Sequence, residues 1–173
     1  MIEKTTNISR ASFLQGQWKQ SPIRPPWSSV EEEFLSSCTT SCNACEKACP
    51  ENIIVLGRGR YPYVDFTKGE CTFCERCVDT CESGALDKNV NEHPWQIKAI
   101  INMDACITSQ QVVCRSCEES CDAAAITFSP KLGGVSTPKM NIENCTGCGA
   151  CIRVCPSQAI TIQQNNDPDH KQS

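Results

Sequence analysis

The sequence predicts an α+β fold made of two tandem small domains, each with a hairpin sheet, short helices and a metal-containing core. Three observations lead to this prediction: 16 cysteines in 173 residues, their arrangement in four similar groups, and a hairpin pattern after the first and third groups. Cysteine is about 9 % of the chain, a content that indicates either a disulfide scaffold or a metal protein. The spacing of the cysteines decides between the two.

The cysteines repeat one short motif four times, and none is left over. The second and fourth groups have the spacing C-x2-C-x2-C-x3-C, and the first and fourth groups end in Cys-Pro. This run binds 4Fe-4S clusters in bacterial ferredoxins. The four groups are Cys38, Cys42, Cys45 and Cys49; Cys71, Cys74, Cys77 and Cys81; Cys106, Cys114, Cys117 and Cys121; and Cys145, Cys148, Cys151 and Cys155.

The spacing suits a cubane cluster, because three thiolates two residues apart can wrap one loop around three of its corners. The fourth corner must then be bound from elsewhere. Closely spaced triplets do not fit a set of disulfides, and structural zinc usually takes its ligands in pairs from two separate knuckles. We therefore predict four 4Fe-4S clusters as the cofactors.

Two groups depart from the regular spacing. The first group has one extra residue between its first two cysteines, and the third group has residues 107–113 in that position. A loop of that length can still close on a cluster, because loop-closure entropy grows slowly with length. Both groups are therefore interpreted as cluster motifs.

The sequence between the groups indicates which motifs share a domain. After the first group, the apolar residues 53–56, a Gly-Arg-Gly turn and residues 61–66 predict a β-hairpin. After the third group, residues 125–128 and 140–142 predict a second hairpin. Each hairpin therefore joins two motifs of one domain.

The stretch 87–94, after the second group, is polar and contains proline, so we predict a linker there. A strand-like segment, 96–103, then opens the second domain. The resulting organisation is a flexible N-terminal arm with an Arg-Pro-Pro-Trp segment over residues 1–35, two-cluster ferredoxin-like domains over residues 36–90 and 91–165, and a disordered tail over residues 166–173.

Pairing the first motif with the second, and the third with the fourth, predicts crossed ligands. In such pairs the fourth cysteine of one motif binds the cluster of the other. His93 and His170 lie in the linker and the tail and are not predicted as ligands. The predicted sets are Cys38, Cys42, Cys45 and Cys81 for the first cluster; Cys71, Cys74, Cys77 and Cys49 for the second; Cys106, Cys114, Cys117 and Cys155 for the third; and Cys145, Cys148, Cys151 and Cys121 for the fourth.

Domains of about 55–70 residues are too small to bury a large hydrophobic core, so the clusters are expected to serve as the cores. The apolar side chains between the motifs are then interpreted as packing around the clusters. These are Ile54, Leu56, Val64, Phe73, Ile126, Phe128, Ile152, Ile160 and Ile162.

Charge and apolar patterning exclude several functional classes. The formal net charge of −4 becomes more negative once thiolates bind metal, so no nucleic-acid partner is expected. Residues 1–30 lack the run of about 7–15 apolar residues of a secretory signal. No stretch reaches the roughly 18 apolar residues of a membrane span. We therefore expect a cytoplasmic protein without a membrane span.

No motif indicates catalysis by the chain itself. The sequence has no Walker loop, no dinucleotide fingerprint and no nucleophile beside a base. The prediction is an electron carrier that is not an enzyme.

Three segments precede the first motif: Ser-Arg-Ala-Ser-Phe-Leu at 9–14, Ile-Arg-Pro-Pro-Trp at 23–27 and Glu-Glu-Glu-Phe at 31–34. With these segments, the long third group and the final Cys-Thr-Gly-Cys-Gly-Ala-Cys run at 145–151, the chain resembles the NapF family. Members of that family are ferredoxin-type accessory proteins of periplasmic nitrate reductase. The resemblance covers almost the whole chain.

The resemblance implies a cytoplasmic protein with four 4Fe-4S clusters. It would contact the molybdenum-containing catalytic subunit of the reductase before export and assist its maturation, by assembling or reducing its cluster. The alternative is an electron-transfer polyferredoxin subunit of another redox enzyme complex.

Two interpretations of the arm stay open. The Pro25-Pro26 pair favours an extended backbone, and Trp27 is the kind of large side chain that anchors interfaces. The arm either docks on the catalytic subunit, or Trp27 packs on the first domain. Over residues 1–30 the arm is basic, since its four cations, Lys4, Arg10, Lys19 and Arg24, stand against one anion, Glu3.

Overall fold

The computed structural model describes residues 22–89 and 93–164. The predicted arm up to position 21, the middle of the predicted linker and the predicted tail lie outside the described residues. The helices are α1 (Glu31–Ser37), α2 (Ala44–Ala48), α3 (Arg76–Asp79), α4 (Ser116–Glu119) and α5 (Ala150–Arg153). The strands are β1 (Ile54–Leu56), β2 (Pro62–Val64), β3 (Ile97–Ile101), β4 (Ile126–Phe128), β5 (Pro138–Met140) and β6 (Ile160–Gln164), and short 3-10 turns cover Arg58–Arg60 and Ile107–Gln110.

The two predicted hairpins are confirmed. Strands β1 and β2 pair antiparallel, with Ile54 opposite Val64. Strands β4 and β5 pair in the same way, with Ile126 opposite Met140. Each hairpin places its buried isoleucine beside a cysteine motif, and so links the two motifs of its domain.

The predicted strand over 96–103 is also confirmed, as β3, but its partner was not predicted. Strand β3 pairs antiparallel with β6, so that Ile101 lies opposite Ile160. Ile160 and Ile162 are buried while Thr161 between them is exposed, the alternation typical of a half-buried strand. The first and last segments of the second domain therefore close it.

The first domain is closed by a smaller contact of the same kind. Ser28 forms an isolated antiparallel bridge with Leu86. The Asp87 N–H donates to the Trp27 carbonyl at 2.9 Å. The side chain of Trp27 is only 6 % exposed. The Trp27 side chain therefore packs on the first domain, as one of the two interpretations of the arm expected.

Residues 22–35, the described part of the predicted arm, are anchored to the first domain by Arg24. Its guanidinium lies 5.0 Å from the centre of the fully buried Phe34 ring. It also donates to the Pro62 carbonyl at 2.9 Å and pairs with the Glu31 carboxylate at 2.6 Å. The hydrogen bond from Arg24 holds the pKa of Glu31 below its usual value. These contacts join α1 to the β1–β2 hairpin.

One continuous apolar core runs through both domains. Of the nine side chains predicted to pack around the clusters, Leu56, Phe73 and Ile152 are half-buried and the other six are buried. The core also contains residues that the sequence analysis did not assign to it: Trp27, Phe34, Ile53, Phe66, Leu86 and Ile97.

Candidate iron-sulfur centres

All sixteen cysteines lie in the described residues, and none of them forms a disulfide. In each motif the third cysteine lies within a short helix, α2, α3, α4 or α5, and the fourth follows the end of that helix. Among residues 22–89 and 93–164, no group of three or more His, Cys, Asp or Glu is arranged to hold a single metal ion. The thiols instead gather in four separate groups.

The predicted second centre forms a cavity in the first domain. The cavity spans about 350 Å³ of empty space, part of it open to solvent, and apolar residues such as Ile53, Ile54 and Phe73 line it. Four cysteines line the same cavity, and they come from two motifs: Cys49, Cys71, Cys74 and Cys77. The structure thus brings together the four thiols that the sequence analysis assigns to the second cluster.

The predicted third centre forms a matching cavity in the second domain, with about 340 Å³ of empty space that is partly open to solvent. Residues 107–113, the long spacer of the third motif, fold back on themselves, since the Val112 N–H donates to the Ile107 carbonyl at 3.1 Å. This turn returns the chain to the cavity wall. The cysteines that line the cavity are Cys106, Cys114, Cys117 and Cys155, again from two motifs.

Electrostatic interactions group the thiols of the predicted first centre. The pKa of Cys38 is raised, mainly by burial and then by the negative charges of Cys81 and Cys42. Burial, with contributions from Cys38, from Cys77 of the second set and from Cys81, raises the pKa of Cys45 to about 12. Cys38 therefore lies within interaction range of the other three thiols of the predicted first set.

The predicted fourth centre is the most enclosed, because Cys145 and Cys151 are both buried. Burial, together with the charges of Cys148, Cys145 and Cys121, raises the pKa of Cys151 to about 12. These are the other three members of the predicted fourth set. Cys121 comes from the third motif, as crossed ligation requires.

Burial sets the chemistry of these thiols. It raises the pKa of Cys77 to about 12 and those of Cys71 and Cys117 to about 11. A thiolate in such a place needs a positive charge beside it, and an iron cluster supplies one. Metal binding then releases the protons and contributes to folding. The donor set therefore fits 4Fe-4S clusters.

Hydrogen bonds to the sulfurs were not predicted. The Ala125 N–H donates to Cys121 Sγ at 3.3 Å, and the Ala159 N–H donates to Cys155 Sγ at 3.2 Å. The buried Thr108 hydroxyl lies 3.2 Å from Cys106 Sγ. Hydrogen bonds of this kind tune the reduction potential of an iron-sulfur cluster. For Cys121 and Cys155 the sequence holds a local signal of these bonds, because an alanine stands four positions after each of the two cysteines.

Comparison with known proteins identifies the domains. Two family models, both described as the 4Fe-4S dicluster domain, match residues 37–86 and 112–163. Two such domains hold four 4Fe-4S clusters, so the predicted cofactor content and the predicted fold are confirmed. No helix in the described part of the chain is long and apolar enough to cross a membrane.

Relatives match along nearly the full chain. The ferredoxin-type protein NapF of Escherichia coli K12 is 42 % identical over 91 % of this chain and 95 % of its own length. The ferredoxin-type protein NapF of Haemophilus influenzae Rd is 39 % identical over 90 % and 94 %. The methylamine utilization ferredoxin-type protein MauM of Paracoccus denitrificans is 27 % identical over 77 % and 66 %. The chain therefore belongs to the NapF family of ferredoxin-type proteins and carries four 4Fe-4S clusters.

Proposed function

We propose that the protein is a cytoplasmic accessory factor of periplasmic nitrate reductase that assists maturation of the catalytic subunit before export. The observation that carries this proposal is the match to NapF proteins over about nine-tenths of the chain. The protein would assemble or reduce the cluster of that subunit, and it would perform no reaction of its own on a small substrate.

The alternative is an electron-transfer polyferredoxin subunit of another redox complex. The match to MauM supports it, because that ferredoxin-type protein is named for methylamine utilization. The match is weaker and covers less of the chain than the matches to NapF proteins. We therefore favour the accessory role.

A pull-down distinguishes the two roles. Tagged protein would be isolated anaerobically from the cytoplasmic fraction, with bound proteins identified by mass spectrometry. We expect transient binding of the nitrate reductase catalytic subunit that still carries its export signal. Binding only to the exported form, or a stable stoichiometric complex with a different redox enzyme, would contradict the proposal. A strain that lacks the catalytic subunit provides the control.

We also propose that the clusters are bound by the four crossed sets described above. The lining of the two cavities and the charge interactions of Cys38 and Cys151 support these sets. The clearest test is Cys81→Ala, because Cys81 lies in the second motif but is assigned to the first cluster.

The Cys81→Ala variant is expected to damage the first cluster and to leave the second intact. Its matched control is Cys74→Ala, which changes the same motif but is expected to damage the second cluster. Iron and sulfide per chain, with EPR spectra of the reduced proteins, report which cluster is lost. Loss of the same cluster in both variants would show that ligation is local and not crossed.

A further inference from the structure

Two of the cluster-binding loops meet at the contact between the two domains. The Cys71 N–H, in the second motif, donates to the Cys148 carbonyl, in the fourth motif, at 2.8 Å. Each of these cysteines belongs to a different predicted cluster and to a different domain. The backbone of one cluster loop therefore lies directly against the backbone of the other.

Aromatic side chains close the space around this contact. The Trp95 ring meets the Phe66 ring edge-on at 5.7 Å and the Phe73 ring at 6.1 Å. The Trp95 indole N–H donates to the Thr146 carbonyl in the fourth-motif loop at 3.2 Å. Trp95 follows the predicted linker, so one side chain contacts both loops.

The fourth-motif loop approaches this closely because it contains glycine. A Cβ atom at Gly149 would lie 2.0 Å from a carbon of the buried Phe66 ring, across the domain contact. A Cβ atom at Gly147 would lie 2.7 Å from the Ile97 carbonyl oxygen. Any side chain at position 149 must therefore displace the Phe66 ring.

The first and third motifs take no part in this contact. In residues 22–89 and 93–164, neither motif makes a backbone hydrogen bond to the other domain. Cys42 of the first motif is exposed, and Val113 in the spacer of the third motif is 79 % exposed. Both motifs reach the surface without a backbone hydrogen bond across the domain contact, and Cys74 of the second motif is exposed as well.

We propose that the second and fourth clusters are the neighbouring pair across the domain contact, so that the spatial order is first, second, fourth, third. This order rests on the proposed ligand sets. It differs from the order of the motifs in the chain, and it places the first and third clusters at the two ends of the series. An electron that crosses between the domains oxidises the reduced second cluster and reduces the fourth, or the reverse, with no atom or proton transferred.

Magnetic coupling between clusters tests the order. The double variant Cys42→Ala, Cys114→Ala removes ligands of the first and third clusters and retains the second and fourth. The double variant Cys74→Ala, Cys148→Ala retains the first and third. Both are reduced with dithionite, a one-electron donor in its active form, and EPR spectra are recorded. We expect a split or broadened signal from the first variant and two independent signals from the second.

The outcomes separate this proposal from the ligand assignment. Iron and sulfide contents that do not fit the loss of the intended two clusters would show that the ligand sets are wrong. Correct contents without coupling between the second and fourth clusters would overturn the proposed order. The intact holoprotein gives a second test, because anomalous diffraction at the iron edge locates all four clusters. Among all pairs of clusters from different domains, the second and fourth must then be the closest pair.

A glycine substitution tests the role of the contact in the intact chain. Gly149→Ala is expected to weaken the coupling between the second and fourth clusters, because the new methyl group displaces Phe66. Gly133→Ala is the matched control: its φ of +69° resembles the +82° of Gly149, but nothing lies within 4 Å of its Cβ position. Removing the ring with Phe66→Ala should restore the coupling in the Gly149→Ala background. Equal coupling in the Gly149→Ala and Gly133→Ala variants would contradict the proposed contact.

Discussion

The second-motif and fourth-motif loops have the same cysteine spacing and reach the same backbone shape with different residues. In both loops the third and fifth positions have positive φ. These positions are Phe73 (53°) and Glu75 (65°) in one loop and Gly147 (77°) and Gly149 (82°) in the other. A left-handed conformation costs a residue with a Cβ about 1–2 kcal/mol, whereas glycine adopts it freely.

Close neighbours explain the difference. The glycine loop lies against Phe66 of the first domain and Ile97 of its own domain, where a Cβ has no room. The other loop keeps its side chains because they have partners: Phe73 packs on Trp95, and Glu75 pairs with Lys88. The two loops therefore share both their cysteine spacing and their backbone shape. The residues packed against each loop determine whether its positive-φ positions hold glycine or a strained residue with a side chain.

The same asymmetry extends to whole domains. In the first domain Cys42 and Cys74 are exposed, whereas none of the eight cysteines of the second domain is exposed. The first domain is closed by the single bridge at Ser28, and the second is closed along the whole of β3 and β6. The first domain should therefore be the more fragile of the two.

Truncating Trp27 should have the largest effect, because it should destabilise the first domain and leave the second domain intact. Removing a buried Trp side chain costs about 3–5 kcal/mol, a large share of the stability of a small domain. In Trp27→Ala we expect the iron content to fall by up to half, with loss confined to the first domain. Iron and sulfide per chain measure the loss, with Val30→Ala, at a side chain 68 % exposed, as the control. Full iron content in Trp27→Ala would contradict the closing role.

Exposure to air should have the next largest effect, because the clusters of the two domains should break down at different rates. The exposed sulfurs of Cys42 and Cys74 give oxygen access to the first two clusters, so these should break down several-fold faster than the third and fourth. Iron release from the full chain should then show two phases of similar size. In the double variant Cys42→Ala, Cys74→Ala only the slow phase should remain. A single phase in the full chain would show that exposure of the cysteines does not set the rate.

Replacing Thr108 should change one reduction potential and little else. Once Cys106 is a thiolate, the Thr108 hydroxyl is the donor in their hydrogen bond, and a donor favours the more negative, reduced cluster. We expect Thr108→Val to lower the potential of the third cluster by tens of millivolts, measured by EPR-monitored redox titration. Thr108→Ser keeps the hydroxyl and should preserve the potential. An unchanged potential in the valine variant would exclude this donor.

The strain at Glu75 gives the smallest expected effect. Glu75→Gly relieves the positive φ but also removes the exposed ion pair with Lys88, which is worth about 0–1 kcal/mol. Glu75→Gln removes only the charge and is therefore the reference. We expect the glycine variant to be more stable than the glutamine variant by about 1 kcal/mol. The rate of loss of cluster absorbance in denaturant, measured anaerobically, compares them. Faster loss in the glycine variant would mean that the loop is not strained.

The sequence was most informative where the signal is local. Cysteine spacing indicated the clusters, and apolar runs around Gly-containing turns located both hairpins. The pairing of β3 with β6 was missed because it joins segments at opposite ends of a domain, and no local pattern specifies a partner so far along the chain. The assignment of each thiolate to a cluster, and the domain boundaries, stay predictions.

The core role of Trp27 was left open for a related reason. The sequence of a Pro-Pro-Trp segment does not indicate whether the tryptophan packs against a partner or against its own chain. Contacts with Leu86 and Asp87 hold this segment on its own chain, and they form only when the first domain folds. Likewise, no feature of Phe66 in the sequence indicates that it packs against Gly149.

The closing pairs also set the times at which the two domains can be completed during synthesis. All the described segments that close the first domain have been synthesised once the chain reaches Asp87, about half way along the sequence. The second domain waits for β6, the last described strand. Since domains fold as units during synthesis, N-terminal first, the first domain can take up its clusters on the nascent chain. The second domain can close only after β6 has been synthesised, so cluster insertion can proceed in order from the first domain to the second.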